Sequence, residues 1–221
     1  MATPTPPSIG IIGAGELGSN IARGMAARGV AATIANRRGP ASLTALIDEL
    51  GPTITAGTTE DAAAADIVVV AAMRWVDAPD IFGKLPAWEG RIVVDATNAV
   101  EFLEPDSPET RDPSNPLAGQ GLKPVDLGGE TSSRVFSRLV PGARVVRAFN
   151  HLNVSLLSHP EASGGRRVLF YSGDDADARA AVGGVIESLG FFPVDLGPLD
   201  VGARLVQVPF GSLVATSFIA Q

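Results

Sequence analysis

The 221-residue chain has no cysteine, two histidines and one tyrosine, and its only lysines are Lys84 and Lys123. The missing cysteine excludes disulfides, thiolate metal sites and cysteine nucleophiles. His151 and His159 stand alone, with no HExxH pattern or spaced histidine set, so no metal is expected. Redox chemistry, if the chain performs any, then belongs to a bound organic cofactor. Long apolar runs are missing too: stretches such as Ile67–Met73 fall far short of the ~20 residues that cross a bilayer. The start, Met1-Ala2-Thr3-Pro4-Thr5-Pro6-Pro7, has no basic region of the secretory kind, which points to a cytoplasmic protein. Positive charge is scarce, with 17 Lys and Arg against 24 Asp and Glu and a net charge of -7, so neither a nucleic-acid groove nor a membrane surface is expected. Small molecules are the expected partners.

What is present is a glycine fingerprint at the very start. Ile9-Gly10-Ile11-Ile12 reads as a buried strand, Gly13-Ala14-Gly15-Glu16-Leu17-Gly18 as the turn, and Glu16–Arg28 as a helix with small Ala22 on its inner side. Gly13 suits the tight turn, Gly15 the approach of backbone to a pyrophosphate, and Gly18 the packing of helix on strand. The phosphates would sit on the helix N-terminus. A second strand, Ala31–Ala35, ends not in the acidic residue typical of NAD sites but in Asn36-Arg37-Arg38-Gly39-Pro40. An arginine fork holds a 2′-phosphate where a carboxylate repels it, so NADP(H) is favoured over NAD(H).

The alternation continues. Leu43, Leu46, Ile47 and Leu50 mark a helix, Ile54 a strand, Thr58–Ala65 a helix, Ile67–Ala71 a buried strand, Trp75–Phe82 a helix and Arg91–Asp95 a fifth strand. Residues 104–116 are too rich in proline for helix or central strand and form a loop, either a lid or a bland connection. Thr131–Val140 is helical and Val145–Phe149 is the sixth strand. Beyond His151 a smaller unit follows: strand Val168–Tyr171, helix Ala176–Leu189 carrying Gly183-Gly184, and strand Phe192–Leu196, with an apolar stripe Phe210, Leu213, Val214 and Phe218 read as core or dimer interface. The fold expected is α/β, a Rossmann-type doubly wound parallel sheet over 1–150 with a small C-terminal α/β unit over 151–221. Its ligand lies beyond the carboxyl ends of the strands, where the loops after Ala71, Asp95 and Ala148 meet the nicotinamide half.

Acid–base candidates are few. His151 follows Ala148-Phe149-Asn150 at the mouth of the sixth strand and is either a cofactor-facing group or a locally bonded loop histidine. Asp95 satisfies the turn Asp95-Ala96-Thr97-Asn98, and Asn98 is placed to orient the cofactor. Ser132, Ser133 and Ser212 lack a nucleophile-elbow context. No catalytic side chain is assigned. Hydride transfer between two bound rings needs alignment more than acid–base groups, and this inventory suits it.

These motifs, together with Ser172-Gly173-Asp174-Asp175 and Leu189-Gly190-Phe191-Phe192-Pro193-Val194-Asp195-Leu196-Gly197-Pro198-Leu199, resemble the deazaflavin-dependent NADP oxidoreductases over nearly the whole chain. The resemblance implies hydride exchange between NADPH and coenzyme F420, no metal, a homodimer, and acceptor site and dimer contacts in the C-terminal unit. By position it implies a cofactor-binding set of Gly13, Gly15, Glu16, Leu17, Gly18, Asn36, Arg37, Arg38, Ala72, Met73, Asn98, Ala148 and Asn150. The acceptor's anionic tail would find Arg134, Arg138, Arg144 and Arg147, unless these are ordinary solvated charges. The chain departs from the family pattern at Met73-Arg74-Trp75, where relatives carry an apolar residue, a proline and an aromatic. The alternatives left open are NADPH-dependent reduction of a flavin, ferric chelate or quinone, and a non-catalytic NADPH-binding redox sensor.

Overall fold

The computed structural model describes residues 6–71 and 73–221; residues 1–5 and Ala72 lie outside it. The first half runs β1 (Ile9–Ile12), α1 (Glu16–Ala27), β2 (Ala32–Ala35), α2 (Thr44–Leu50), β3 (Ile54–Gly57), α3 (Thr59–Ala63), β4 (Ile67–Val70), α4 (Ala78–Phe82) and β5 (Ile92–Asp95). A two-stranded ribbon, β6 (Val100–Phe102) and β7 (Leu122–Pro124), precedes α5 (Ser132–Leu139) and β8 (Arg144–Ala148). The remainder is β9 (Glu161–Ala162), β10 (Gly165–Gly173), α6 (Ala176–Ser188), β11 (Phe192–Asp195), α7 (Leu199–Leu205) and β12 (Ile219–Ala220).

The sheet order is β11-β10-β8-β5-β4-β1-β2-β3. From β3 to β8 every neighbouring pair is parallel, which is the doubly wound arrangement expected. Strands β1, β4 and β5 are buried on both faces, and alternate residues divide between two cores. Ile9, Ile11, Ile67, Val69, Ile92 and Val94 face α1, α2 and α6; Ile12, Val68, Val70 and Val93 face α3, α4, α5 and α7.

The C-terminal unit joins this same sheet. Its β10 pairs antiparallel with β8, Tyr171 opposite Ala148 and Ser172 opposite Arg147, and β11 follows parallel to β10. Apolar alternation marks a strand without stating its direction, so this reversal is new information from the structure. The Trp75–Phe82 helix is split into a 3-10 turn over Trp75–Asp77 and α4, because Pro79 cannot continue a helix begun before it. The proline-rich stretch is the tip of the β6–β7 ribbon: Lys123 reaches Glu101 at 3.4 Å and Glu109 at 3.6 Å, and Asn115 Nδ2 donates to the Leu122 carbonyl at 2.7 Å. The Phe210–Phe218 stripe is not helical; Phe218 packs edge-on against Phe170 while Phe210 is exposed.

The two glycines inside α6 have different surroundings. A Cβ at Gly183 would stand 2.7 Å from the Tyr171 hydroxyl, whereas one at Gly184 would meet nothing within 4 Å. Gly183→Ala is therefore expected to destabilise by about 1–3 kcal/mol through overpacking, and Gly184→Ala to stabilise by up to ~1 kcal/mol through helix propensity. Urea unfolding of the two variants checks this, and equal effects would contradict the packing argument.

Candidate functional site

The carboxyl ends of β1, β2 and β4 open into a cleft of about 650 Å³. Its floor is Gly13, Ala14 and Gly15, one wall is Asn36, Arg37 and Arg38, and the opposite wall runs from Met73 and Arg74 through Asp77 to Lys84. Gly13 has φ +107°, a conformation closed to side chains, and a Cβ on Gly18 would come within 1.8 Å of the Gly13 carbonyl. Both glycines are thus required by the turn itself. The first α1 residue to find a carbonyl one turn back is Ser19, bonded to Gly15 O at 2.9 Å, so among the described residues the amides of Glu16, Leu17 and Gly18 are left for another acceptor.

Asn36 ties the next turn together. Its Oδ1 accepts from the Arg38 amide at 2.8 Å and its Nδ2 lies 3.0 Å from Ser42 Oγ, so the carboxamide shapes the loop that displays the two arginines. Both are exposed, and among the described residues neither has a carboxylate within ion-pair distance.

Asn98, Ala148 and Asn150 are outside the lining of this cleft, at the carboxyl ends of β5 and β8. There a buried polar network takes over. Arg147 and Asp95 are both fully buried and paired at 2.8 Å. Asp95 Oδ1 also accepts from the Thr97 amide at 3.0 Å and hydroxyl at 2.7 Å, and Oδ2 from Ser133 Oγ at 2.7 Å. Arg147 Nη1 donates to the Thr97 carbonyl as well, and Nη2 to Asn98 Oδ1 at 3.1 Å. Asn150 Nδ2 donates to the same Asn98 Oδ1 at 3.2 Å and to the Val206 carbonyl at 2.7 Å. Asn98 therefore keeps its NH2 as a donor, while the buried Oδ1 of Asn150 has no partner among the described residues. Between them Phe149 is buried with φ +67°, a left-handed conformation that costs on the order of 1–3 kcal/mol and turns the chain sharply out of β8.

The geometry decides two open readings and extends a third. The four-arginine patch does not form: Arg134 is held by Asp174 and Asp200, Arg138 by Glu130, Arg144 by Asp175, and Arg147 is inside the protein. Asp95 does satisfy its turn, but it is also the counterion of Arg147, a pairing with no sequence signal because the two are 52 residues apart. His151 is buried and faces the core: Nε2 accepts the Phe170 amide at 3.1 Å and the ring packs on Phe170 with centroids 5.0 Å apart. His159 is exposed, bonded to Ser155 O and Ser158 Oγ. Ser133 bonds Asp95 while Thr131, not either serine, caps α5.

Burial, reinforced by the charge of Arg147, lowers the His151 pKa from 6.5 to about 4, so the ring is neutral near physiological pH. An unfolded chain binds this proton more readily than the folded one. The stabilisation is then complete above pH 6.5 and is lost as pH falls towards about 4, a difference of roughly 3 kcal/mol. His151→Gln keeps an acceptor for the Phe170 amide and is expected to flatten the urea-unfolding profile across that window relative to wild type. Superimposable slopes would show that His151 is not the group titrating.

The family of NADP oxidoreductases described as coenzyme F420-dependent matches residues 8–99. A hypothetical protein, SMa0349 from Sinorhizobium meliloti, known from its crystal structure, is 40% identical, with a TM-score of 0.84 over 97% of this chain and 96% of that one. Metalloreductase STEAP3 of Rattus norvegicus is 23% identical over 203 residues, 92% of this chain but 36% of its own length. A reductive aminase from Aspergillus terreus in complex with NADPH and ethyl-5-oxohexanoate is alike in fold, at 21% identity and a TM-score of 0.60 over 90% of this chain and 57% of that one. The chain thus spans about a third of the metalloreductase and little over half of the aminase. The family match covers the fingerprint, the arginine turn and the Asp95–Asn98 strand end, and the Sinorhizobium protein carries the likeness through the C-terminal unit: the chain belongs to the coenzyme F420-dependent NADP oxidoreductases.

Proposed function

We propose that the protein is an NADPH-dependent reductase that delivers a hydride to a planar acceptor requiring no proton from the protein, with coenzyme F420 as that acceptor. The observation that carries this reading is the chemistry at the ends of β5 and β8. Asp95 is saturated by four hydrogen bonds, and His151 is buried, neutral and committed to the Phe170 amide. Neither can release a proton to a carbonyl or an imine. A deazaflavin needs none from the site: a C–H bond of NADPH breaks, a C–H bond forms on the acceptor ring, and solvent protonates the ring nitrogen.

The residues present fit NADP(H). The free amides of Glu16–Gly18 suit the pyrophosphate, and Arg37 and Arg38 suit the 2′-phosphate. Asn98 offers an NH2 donor and Asn150 an Oδ1 without a partner among the described residues, the two groups that the C=O and NH2 of a nicotinamide carboxamide would bond. NADPH supplies the hydride. The chain's part is to fix the ring by this pair and to hold the pair rigid through Arg147. Similarity to a metalloreductase supports a second reading in which a flavin, quinone or ferric chelate replaces the deazaflavin.

Stopped-flow mixing of enzyme, NADPH and oxidised F420 is expected to bleach the deazaflavin band stoichiometrically with NADPH oxidation. Tight NADPH binding without bleaching, followed by turnover with flavin or ferric chelate, would select the second reading. Replacing Arg37 and Arg38 together by alanine is expected to weaken NADPH by about a hundredfold and NADH by less than about twofold, since charge-assisted bonds to the 2′-phosphate are lost. Equal losses, measured by NADPH fluorescence titration, would remove the 2′-phosphate assignment.

A further inference from the structure

We propose that Arg74 is the residue that neutralises the dinucleotide's pyrophosphate, and that Asp77 holds it until the cofactor arrives. This rests on the NADP(H) reading. The loop offered to the pyrophosphate supplies amides but no cation, and the first turn of α1 carries an acid instead, exposed Glu16. Helix amides and dipole favour an anion there, but a carboxylate beside two phosphate charges opposes it. Arg37 and Arg38 are displayed from the Asn36 turn on one wall, at the end of β2, and are committed to the 2′-phosphate.

Arg74 is the cation on the opposite wall that the topology brings nearest to the glycine turn. Strands β1 and β4 are neighbours, and the Ala71 amide bonds the Ile12 carbonyl at 2.9 Å, so the chain leaving β4 towards Arg74 starts alongside Gly13. Arg74 lines the cleft with Gly13–Gly15. Lys84 lies on the same wall but beyond the far end of α4.

The Arg74 guanidinium is bound by both oxygens of Asp77, Nε at 2.8 Å and Nη2 at 2.9 Å. Its side chain is 59% exposed and that of Asp77 31%. Such an exposed pair is held weakly against water, so it is readily exchanged. A pyrophosphate presents the same fork-shaped acceptor with more charge, and bidentate Arg–phosphate bonds are among the strong ones. Asp77 thus keeps the fork ordered and its charge compensated until phosphate displaces it.

The test is equilibrium binding, by calorimetry, of NADPH, NADH and adenosine 2′-monophosphate, a probe with no pyrophosphate. Arg74→Ala is expected to weaken NADPH and NADH by the same factor, about ten- to a hundredfold, and to leave adenosine 2′-monophosphate unchanged. Asp77→Asn is expected to tighten NADPH up to about fivefold, a gain absent when Arg74 is also alanine. Wild-type affinity for NADPH in Arg74→Ala, or an equal loss of adenosine 2′-monophosphate, would overturn the proposal, as would weaker NADPH binding in Asp77→Asn. A wild-type protein that binds neither dinucleotide would instead overturn the cofactor reading on which the proposal rests.

Discussion

A guanidinium with no access to water must find its counterion inside the protein, and Arg147 finds Asp95 one strand away, at the matching position of the β5–β8 register. Removing both from water costs several kcal/mol per ion, and the attraction recovers this only when the remaining bonds are made. Here Thr97, Ser133 and Asn98 make nearly all of them, and among the described residues Arg147 Nε alone of the pair's polar atoms has no partner. An apolar pair of similar volume would often be as stable. What it would lose is orientation: the same guanidinium fixes the Asn98 carboxamide, which in turn anchors Asn150. The pair also marks the seam of the fold, since the residue opposite Arg147 on the other side is Ser172 of β10, where the sheet turns antiparallel.

Outside the core the acidic excess sorts the arginines. Arg23, Arg28, Arg134, Arg138, Arg144 and Arg179 each have a carboxylate partner, whereas the described residues leave Arg37 and Arg38 without one. Exposed pairs of this kind are screened by water and do little for stability. Arg91, Arg111, Arg166, Arg167 and Arg204 also lack an ion pair among the described residues, so what sets Arg37 and Arg38 apart is their place side by side on the wall of the cleft. The same sorting removes the row from Arg134 to Arg144 as a landing place for an acceptor's anionic tail.

The nucleotide half was legible because its rules are local. A buried apolar strand, a glycine turn and the residue type after β2 lie within a few tens of residues, and each has one physical meaning. The C-terminal half resisted for the opposite reason. Arg147 in a strand reads as an edge charge, and only the register with β5 shows that it is internal. The direction of β10 is invisible to alternation, and the left-handed backbone of Phe149 has no signature at a residue that is not glycine. Asn98 was legible as a polar residue at a strand end, but that its oxygen is already taken, leaving only its NH2, depends on Arg147 and Asn150 some fifty residues away.

That last detail links the buried ion pair to the chemistry. A carboxamide free to flip presents either end to a ligand and so orients nothing. Two donors from Arg147 and Asn150 settle Asn98 one way, and Asn150, spending both its hydrogens on Asn98 and Val206, is settled the other way with its oxygen bare. An unsatisfied buried carbonyl oxygen is costly by about 1–3 kcal/mol, and the left-handed Phe149 beside it adds strain of similar order. Both costs fall on adjacent residues at the carboxyl end of β8, where a doubly wound sheet binds its ligand. A group that donates to Asn150 while accepting from Asn98 relieves the first of them, and a primary amide does so with one face. On the NADP(H) reading proposed above, the buried charge pair acts by fixing which way these two amides point, and so which end of a primary amide each can bond.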